Sequence, residues 1–167
     1  ITAVVLGGVS IFGGAGNVIV SGAISGLGAS VTKLGTGTLT LSGANGFNGG
    51  ATVTAGTLAL GANNALSDLL GVTVNGGTFN VATFNDTVGA VSLQSGAIAG
   101  SGGILISATD FDLRAGTVSA VLGGGVNVVK TTAGVVTLSG LNAFTGQLQI
   151  NAGTVAISAG GNLGAGS

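Results

Sequence analysis

Residues 33–60 read KLGTGTLTLSGANGFNGGATVTAGTLAL, and residues 130–157 read KTTAGVVTLSGLNAFTGQLQINAGTVAI. The two stretches align without a gap, and 13 of the 28 positions are identical. Within them, apolar and polar residues alternate between glycines, as in TLTL at 38–41. Alternation over short runs predicts β-strands with one buried face. The chain therefore contains one strand-rich sequence repeat in two copies.

A shorter unit centred on glycine recurs along the whole chain. It reads VTAGTL at 53–58, VNGGTF at 74–79 and INAGTV at 150–155. After two shorter intervals at the start, the unit glycines recur with a nearly constant spacing, and they are Gly8, Gly22, Gly37, Gly56, Gly77, Gly96, Gly116, Gly134 and Gly153. We interpret the seven from Gly37 onward as turns between strands, where glycine adopts a positive φ without steric cost.

A period of about 20 residues made of short strands indicates stacked coils. One coil cannot bury its apolar side alone, whereas coils stacked at about 4.8 Å can. We therefore predict an all-β protein, with residues 1–167 as a single parallel β-solenoid (β-helix) domain of about eight coils of roughly 20 residues. Frequent glycine and the lack of a 3.6-residue stripe disfavour helices, so we predict a loop for GANNALSDLLG at 61–71.

Composition excludes several classes of function. The chain has no His, Cys or Glu, so Ser–His–Asp and Cys–His arrangements are impossible within it and a zinc site is implausible. Its net charge is −1, and it has no basic patch to attract nucleic acid. We predict a protein that is not an enzyme, holds no cofactor or metal and binds no nucleic acid.

One charged cluster, TDFDLR at 109–114, leaves alternatives open. In a strand, Asp110, Asp112 and Arg114 lie on one face. Paired carboxylates are typical of glycosidases, which makes a polysaccharide-active enzyme one alternative. Calcium binding by the two aspartates is a lesser one, since calcium needs 6–8 oxygen ligands. We favour a surface Asp–Arg pair, which contributes little.

A row of threonines raises the possibility of ice binding. Thr36, Thr38 and Thr40 share an outward face, but ice binding requires such a row on successive coils. We take the neighbouring coils to carry Thr73 and Ser92 at this place, so we attribute the row to the β-propensity of threonine.

The Asn-x-Phe motifs at Asn45–Phe47 and Asn142–Phe144 fit the corner of a coil. Phenylalanine would pack inside the coil or against its corner. Asparagine tolerates left-handed conformations and bonds the backbone at turns. We interpret all four residues as structural.

The stretch 33–60 resembles the passenger-associated transport repeat of bacterial autotransporters. The resemblance rests on Lys33, the run TLTLSGAN, the aromatic residue that follows and the closing VTAGTL. Phe47 stands where the family usually has Tyr, and the second copy departs at 135–136 and at Gln147. The resemblance implies a right-handed parallel β-helix that is exported to the extracellular space or the outer surface of a bacterium. It implies no particular ligand, because passengers of many activities share that scaffold.

All seven charges lie between Lys33 and Lys130, so both ends present uncharged strand edges without proline. A second copy placed after Ser167 would put its Gly8 about one coil beyond Gly153, so the internal spacing would continue across the junction. We therefore expect a structural rod or head-to-tail fibre whose partners are copies of itself or flanking coils. The alternative is an adhesin-type passenger fragment that binds a ligand on host or neighbouring cells. Because the chain starts at Ile1, we expect a segment of a longer rod.

Overall fold

The computed structural model describes residues 3–158 and 162–165. These residues form twenty-one strands and no helix. Every strand pair is parallel, and paired residues lie 17 to 21 positions apart in sequence. The chain is a β-solenoid of about 8 turns about 20 residues apart, which confirms the predicted fold class.

Each coil has three sides, and each side stacks on the same side of the next coil. The first side contains β2 (Val9–Phe12), β5 (Ser30–Lys33), β7 (Ala51–Val53), β13 (Phe111–Leu113), β16 (Val128–Lys130) and β19 (Leu148–Ile150). The second side contains β3 (Val18–Val20), β6 (Thr38–Leu41), β8 (Thr57–Leu60), β14 (Gly116–Val118), β17 (Val135–Leu138) and β20 (Thr154–Ile157). Two longer strands span both sides, namely β9 (Gly71–Ala82) and β11 (Ala90–Gly100).

The third side is made of shorter pieces. It contains β1 (Val4–Val5), β4 (Ile24–Ser25), β10 (Asp86–Val88), β12 (Ile104–Ser107), β15 (Val121–Gly123), β18 (Leu141–Asn142) and β21 (Asn162–Leu163). Between these strands, the corner at 43–47 and the loop at 61–70 complete two coils. The loop contains no helix, as predicted, and it buries Leu66 and Leu70 in the core.

The core lies along the axis of the solenoid. On the second side, one inward row passes from coil to coil in register and is fully buried: Leu39, Leu58, Phe79, Ile98 and Val118. Burying a side chain of this size contributes about 1.5–3 kcal/mol. Because each row continues through the stack, the same alternation that forms a strand also supplies the core.

Two of the glycines that set the sequence period, Gly8 and Gly22, are not turn equivalents of Gly37. Val9 pairs with Ser30, so the first coils are as long as the later ones. Gly22 lies under Gly43, at another corner. The two short intervals at the start of the glycine series, Gly8 to Gly22 and Gly22 to Gly37, therefore do not correspond to the length of a coil. They join glycines that lie at different corners.

The register argument for stacked copies used Gly8 and is therefore wrong. The equivalent of Gly37 in the first coil is Gly16, which lies directly beneath it, and Gly14, with φ 85°, lies beneath Gly35. In a second copy placed directly after the first, Gly16 would follow Gly153 at a distance beyond the length of any internal coil. Ile1 and Ser167 lie outside the described residues.

The comparison used to set aside a threonine row was also wrong. Thr38 pairs with Thr57, and Thr57 with Thr78, all on the second side. Thr73 and Ser92 lie on the first side and continue a different row, which includes Thr52. The error arose because each coil carries two long strands, and the neighbouring strand in sequence was taken for the neighbouring strand in space.

Among the residues described, no helical segment has the length and apolarity needed to span a bilayer.

Candidate functional site

The seven glycines selected from sequence lie one above another at the turn between the first and second sides. A Cβ atom added to any of them would come closer than 3.0 Å to an atom of the coil below. The residues of this glycine column are Gly37, Gly56, Gly77, Gly96, Gly116, Gly134 and Gly153. Successive turns therefore touch closely, with no room for a side chain between them.

A positive φ explains only part of the glycine column. Gly56 has φ 62° and Gly153 has φ 76°, and the same holds for Gly96 and Gly116. The other three glycines lack a positive φ, so that part of the prediction was wrong. At those three, the close approach of the coil below requires glycine instead. In two of the coils, Gly35 and Gly76 supply the left-handed residue of the same turn.

Two lysines, which we call the capping lysines, lie inside the solenoid beside the glycine column. Lys33 is 2% exposed and Lys130 is 0% exposed, and both face inward from the ends of β5 and β16. Lys33 Nζ donates to the carbonyl oxygens of Leu34, at 2.7 Å, and Gly35, at 2.9 Å. Among the described residues, neither lysine forms an ion pair. The two lysines therefore bind turn carbonyls rather than carboxylates.

Lys130 holds its turn in a similar way. Its Nζ donates to the carbonyl oxygen of Thr132 and, at 3.3 Å, to that of Ala152 in the next coil. Burial lowers the pKa of Lys33. Sequence reasoning missed this role, although a signal was present. In SVTK at 30–33, strict alternation places Lys33 on the same inward face as Val31.

The asparagines of the Asn-x-Phe motifs join one coil to the next. Asn45 Oδ1 accepts a hydrogen bond from the Ile24 amide at 2.7 Å in the coil below. Asn45 Nδ2 donates to the carbonyls of Gly43, at 2.8 Å, and Ala65, at 2.7 Å, the latter in the coil above. Asn142 Oδ1 likewise accepts from the amide of the coil below, here Leu122, at 3.0 Å.

The phenylalanines of the same motifs are fully buried. Phe47 and Phe144 are each 0% exposed and belong to the continuous core. Each motif thus places an amide at the corner and, two residues later, an aromatic ring inside the coil. None of the four residues offers a free polar group to a ligand.

Asp86 occupies the same corner as the two asparagines, and sequence reasoning did not identify it. Its Oδ2 accepts from the Leu66 amide of the coil below at 3.0 Å, as Asn45 accepts from Ile24. The residue is 2% exposed, and its Oδ1 has no hydrogen-bond partner. The signal lay in the spacing, because Asp86–Thr87–Val88 follows the Asn45 motif at an interval of two coils, and Val88 is buried like Phe47.

Burial raises the pKa of Asp86 to about 6. The backbone groups of Leu66, Ala65 and Thr87 oppose this shift, and the charge of Asp68 adds to it. In the described part of the chain, the other buried side-chain atom without a partner is Ser107 Oγ.

The TDFDLR cluster forms a hydrogen-bonded network at the surface. As predicted, Asp112 faces outward between the buried Phe111 and Leu113. Asp112 Oδ2 accepts from Arg114 Nε at 2.8 Å. Asp110 instead accepts from the backbone and side-chain nitrogens of Asn127, at 3.0 and 3.1 Å. The two carboxylates are thus held by different partners.

Within this network, burial acts to raise the pKa of Asp112. Hydrogen bonds from Thr131, Arg114 and Ser92 outweigh it, so that the pKa lies below its usual value. No group of three His, Cys, Asp or Glu side chains that could hold a metal occurs among residues 3–158 and 162–165.

Comparison with known families connects these corners to one motif. The family model described as the passenger-associated-transport-repeat matches residues 31–60 and 128–157. We call these two matched stretches the transport repeats. Each repeat includes one capping lysine, one corner asparagine and one buried phenylalanine. Together with the parallel β-solenoid, the repeats are consistent with an autotransporter passenger β-helix. No curated protein and no solved structure matches the chain.

The boundaries of the repeats have a structural meaning. The first repeat runs from β5 to the end of β8, so it contains two stacked strands on each of two sides. Val31 pairs with Ala51, and Leu39 pairs with Leu58, within this one repeat. One transport repeat therefore encloses the contact between two coils on two of the three sides.

Proposed function

We propose that this chain is a stretch of the passenger of a bacterial autotransporter, a structural β-helix displayed at the outer cell surface or outside the cell. The observation that carries the proposal is the pair of transport repeats, each of which encloses a contact between coils. The rod is non-enzymatic in this proposal. Its mechanism is continuous strand pairing along the axis around an apolar interior.

The partners in this proposal lie along the axis. Eight coils at about 4.8 Å give a rod of about 40 Å. The edge strands β2 and β19 present backbone groups that a further coil would pair. The proposed occupants are flanking coils of a longer chain or a second copy, and both continue the same ladder.

The rod proposal is tested by display on cells. The parent gene, expressed with an epitope tag between the exposed residues Asp68 and Leu69, should give tagged protein that protease removes from intact bacteria. A cytoplasmic enzyme should stay intact in the same cells as the control. Protection of the tag until the cells are lysed would contradict surface display.

Electron microscopy and concentration-dependent scattering of the isolated chain test the second-copy arrangement. Particles whose length increases with concentration in multiples of the length of one chain would support it. Uniform monomers at high concentration contradict it and favour flanking coils.

An adhesin role is a second candidate, and one observation favours it. In the first coil, Val9, Ile11 and Ile19 face outward and are 72%, 63% and 63% exposed. The next coil carries Ser30, Thr32 and Thr40 at the paired positions. Val9 and Ile11 share the first side of the coil and Ile19 lies on the second, and exposed apolar patches commonly mark interaction sites.

Replacing the exposed apolar residues by their second-coil counterparts tests this role. Ile11→Thr together with Ile19→Thr should abolish binding to host or neighbouring cells while the far-ultraviolet circular dichroism stays unchanged. Unchanged cell binding in a folded variant would contradict an adhesin role for this surface. The polysaccharide-enzyme alternative predicts hydrolysis that Asp110→Asn and Asp112→Asn remove, whereas the structural proposal predicts no hydrolysis in any variant.

A further inference from the structure

The corner of the solenoid holds three equivalent polar side chains, two of them amides and one an acid. Asn45, Asp86 and Asn142 each accept a hydrogen bond from the backbone amide of the coil below. All three are at most 4% exposed. The position therefore needs an acceptor directed at the lower coil, and both an amide and a carboxyl group meet that need.

The second half of each side chain distinguishes the acid from the amides. Asn45 Nδ2 donates to two carbonyl oxygens, one of them in the coil above. A carboxylate can only accept hydrogen bonds, whereas a neutral carboxylic acid has one O–H to donate. Asp86 Oδ1 is buried without a partner, which is costly for a charged oxygen. Only the protonated acid can reproduce the donor of asparagine at this corner.

We propose that Asp86 makes the middle of the rod a pH-sensitive joint, which a neutral carboxylic acid holds closed in mild acid and a carboxylate weakens at neutral pH. The mechanism is local, because the group affected lies between the coil containing Leu66 and the coil containing Leu105. It is independent of the rod's proposed location.

The charges around the joint cannot compensate a carboxylate. The chain has no lysine, arginine or histidine between residues 34 and 113. The one other charged residue in the neighbouring coils is Asp68, whose like charge also disfavours ionisation of Asp86. Neither β12 above nor the 61–67 segment below contains a charged residue.

The sign of the pH effect follows from the raised pKa. The folded chain holds the Asp86 proton up to about pH 6, whereas the ordinary value is 3.8. Between these values the folded state binds more protons than the unfolded state, so the free energy of unfolding falls as the pH rises. Between these two pH values, the raised pKa of Asp86 corresponds to roughly a hundred-fold decrease in the equilibrium constant for folding as the pH rises.

Urea unfolding across this window, from about pH 4 to about pH 8, tests the proposal. The wild-type midpoint should fall as the pH rises. Asp86→Asn should raise the midpoint at neutral pH, change it little in acid and remove most of the slope. Asp68→Asn is the matched control, since it removes an exposed carboxylate from the same region and should leave most of the slope. An unchanged slope in Asp86→Asn would overturn the proposal.

Two further measurements keep the proposal testable if that variant folds poorly. Asn45→Asp should introduce a second, similar pH dependence at the equivalent corner. In the wild-type chain, the carboxyl carbon of Asp86 should titrate near pH 6 by nuclear magnetic resonance. Titration at the ordinary aspartate value of 3.8 would overturn the proposal.

Discussion

The two transport repeats place the same residues at the same corners, but the structure buries their last strands differently. Val53 in the first repeat is 0% exposed, and its counterpart Ile150 in the second is 52% exposed. Leu60 and Ile157 show the same contrast, at 2% and 45%. In the first repeat, the following strand β9 covers β7 and β8.

This contrast separates two kinds of interaction. The capping lysine, the corner asparagine and the buried phenylalanine are enclosed in both repeats. The closing strand of a repeat is enclosed only by the coil that follows it. The corner asparagines nevertheless bond residues outside their own repeat, and the last strands are buried only where a further coil covers them, so a repeat depends on its neighbours in both respects, as in other solenoids.

The largest expected effect comes from removing the buried aromatic ring. Phe47→Ala should lower the free energy of unfolding by about 3–5 kcal/mol, because it leaves a cavity between two covered coils. Phe144→Ala should lower the global value less and should mainly open the last coils. Urea unfolding gives the global values, and hydrogen exchange locates the opening. Equal global losses in both variants would remove the proposed difference between the repeats.

The turn glycines should give the next largest effect. Gly56→Ala places a Cβ against the backbone of the turn below at φ 62°, and it should cost about 2–4 kcal/mol. Gly46→Ala is the matched control in the same repeat, because its Cβ would meet open space at an ordinary φ. Thermal unfolding compares the two variants. A control as destabilised as Gly56→Ala would show that steric contact between turns is not the cause.

The corner asparagines should matter somewhat less. Asn45→Ala leaves the Ile24 amide and the Gly43 carbonyl without their side-chain partner, whereas the Ala65 carbonyl keeps the backbone amide of residue 45, so the cost should be about 1–3 kcal/mol. Asn142→Ala should show a smaller global loss, because the closing strands of the second repeat are less buried. Hydrogen exchange at the amides of Ile24 and Leu122 reports each corner directly. Unchanged protection of the Ile24 amide in Asn45→Ala would contradict the bond that joins these coils.

The alternation of apolar and polar residues and the spacing of glycines were sufficient to predict the coil and its period, because both patterns depend only on residues that are close in sequence. They did not identify the column glycine of the first coil, Gly16, because several other glycines such as Gly8 lie close to it in sequence. These patterns also did not identify the neighbours of the threonine row. The next coil contains one strand on the first side and one on the second, and the sequence order alone does not show which of them stacks on Thr38.

The corner residues were less accessible to sequence reasoning. The spacing marks Asn45, but it does not show that the side chain bonds the coils below and above it. Asp86 was missed because it shares the position of Asn45 without the motif's residue types. Lys33 was missed because a buried lysine contradicts the usual preference of charges for the surface, and only its inward place in the alternation indicates otherwise.

The smallest expected effect concerns the capping lysines. Lys33→Met should change the free energy of unfolding by less than about 1 kcal/mol at neutral pH, because lost carbonyl contacts and removed desolvation oppose each other. Burial lowers the pKa of Lys33, so the folded state binds fewer protons than the unfolded state in alkaline solution. Wild-type stability should therefore rise as the pH approaches the ordinary value of 10.5, and the methionine variant should lose that rise. Melting temperatures across alkaline pH check this, and identical curves would contradict it.

The central claim is that successive coils stack in parallel along one axis. Three double variants test it by electron paramagnetic resonance, which measures the distance between two spin labels. Each variant carries Thr32→Cys and one second site, namely Ser92→Cys, Val129→Cys or Gln149→Cys. The chain has no cysteine of its own, so only these two sites are labelled. These positions belong to one outward row of the first side. The distance from Thr32 should grow by about 4.8 Å for each coil crossed. Distances that do not increase in this order would contradict the stacked solenoid.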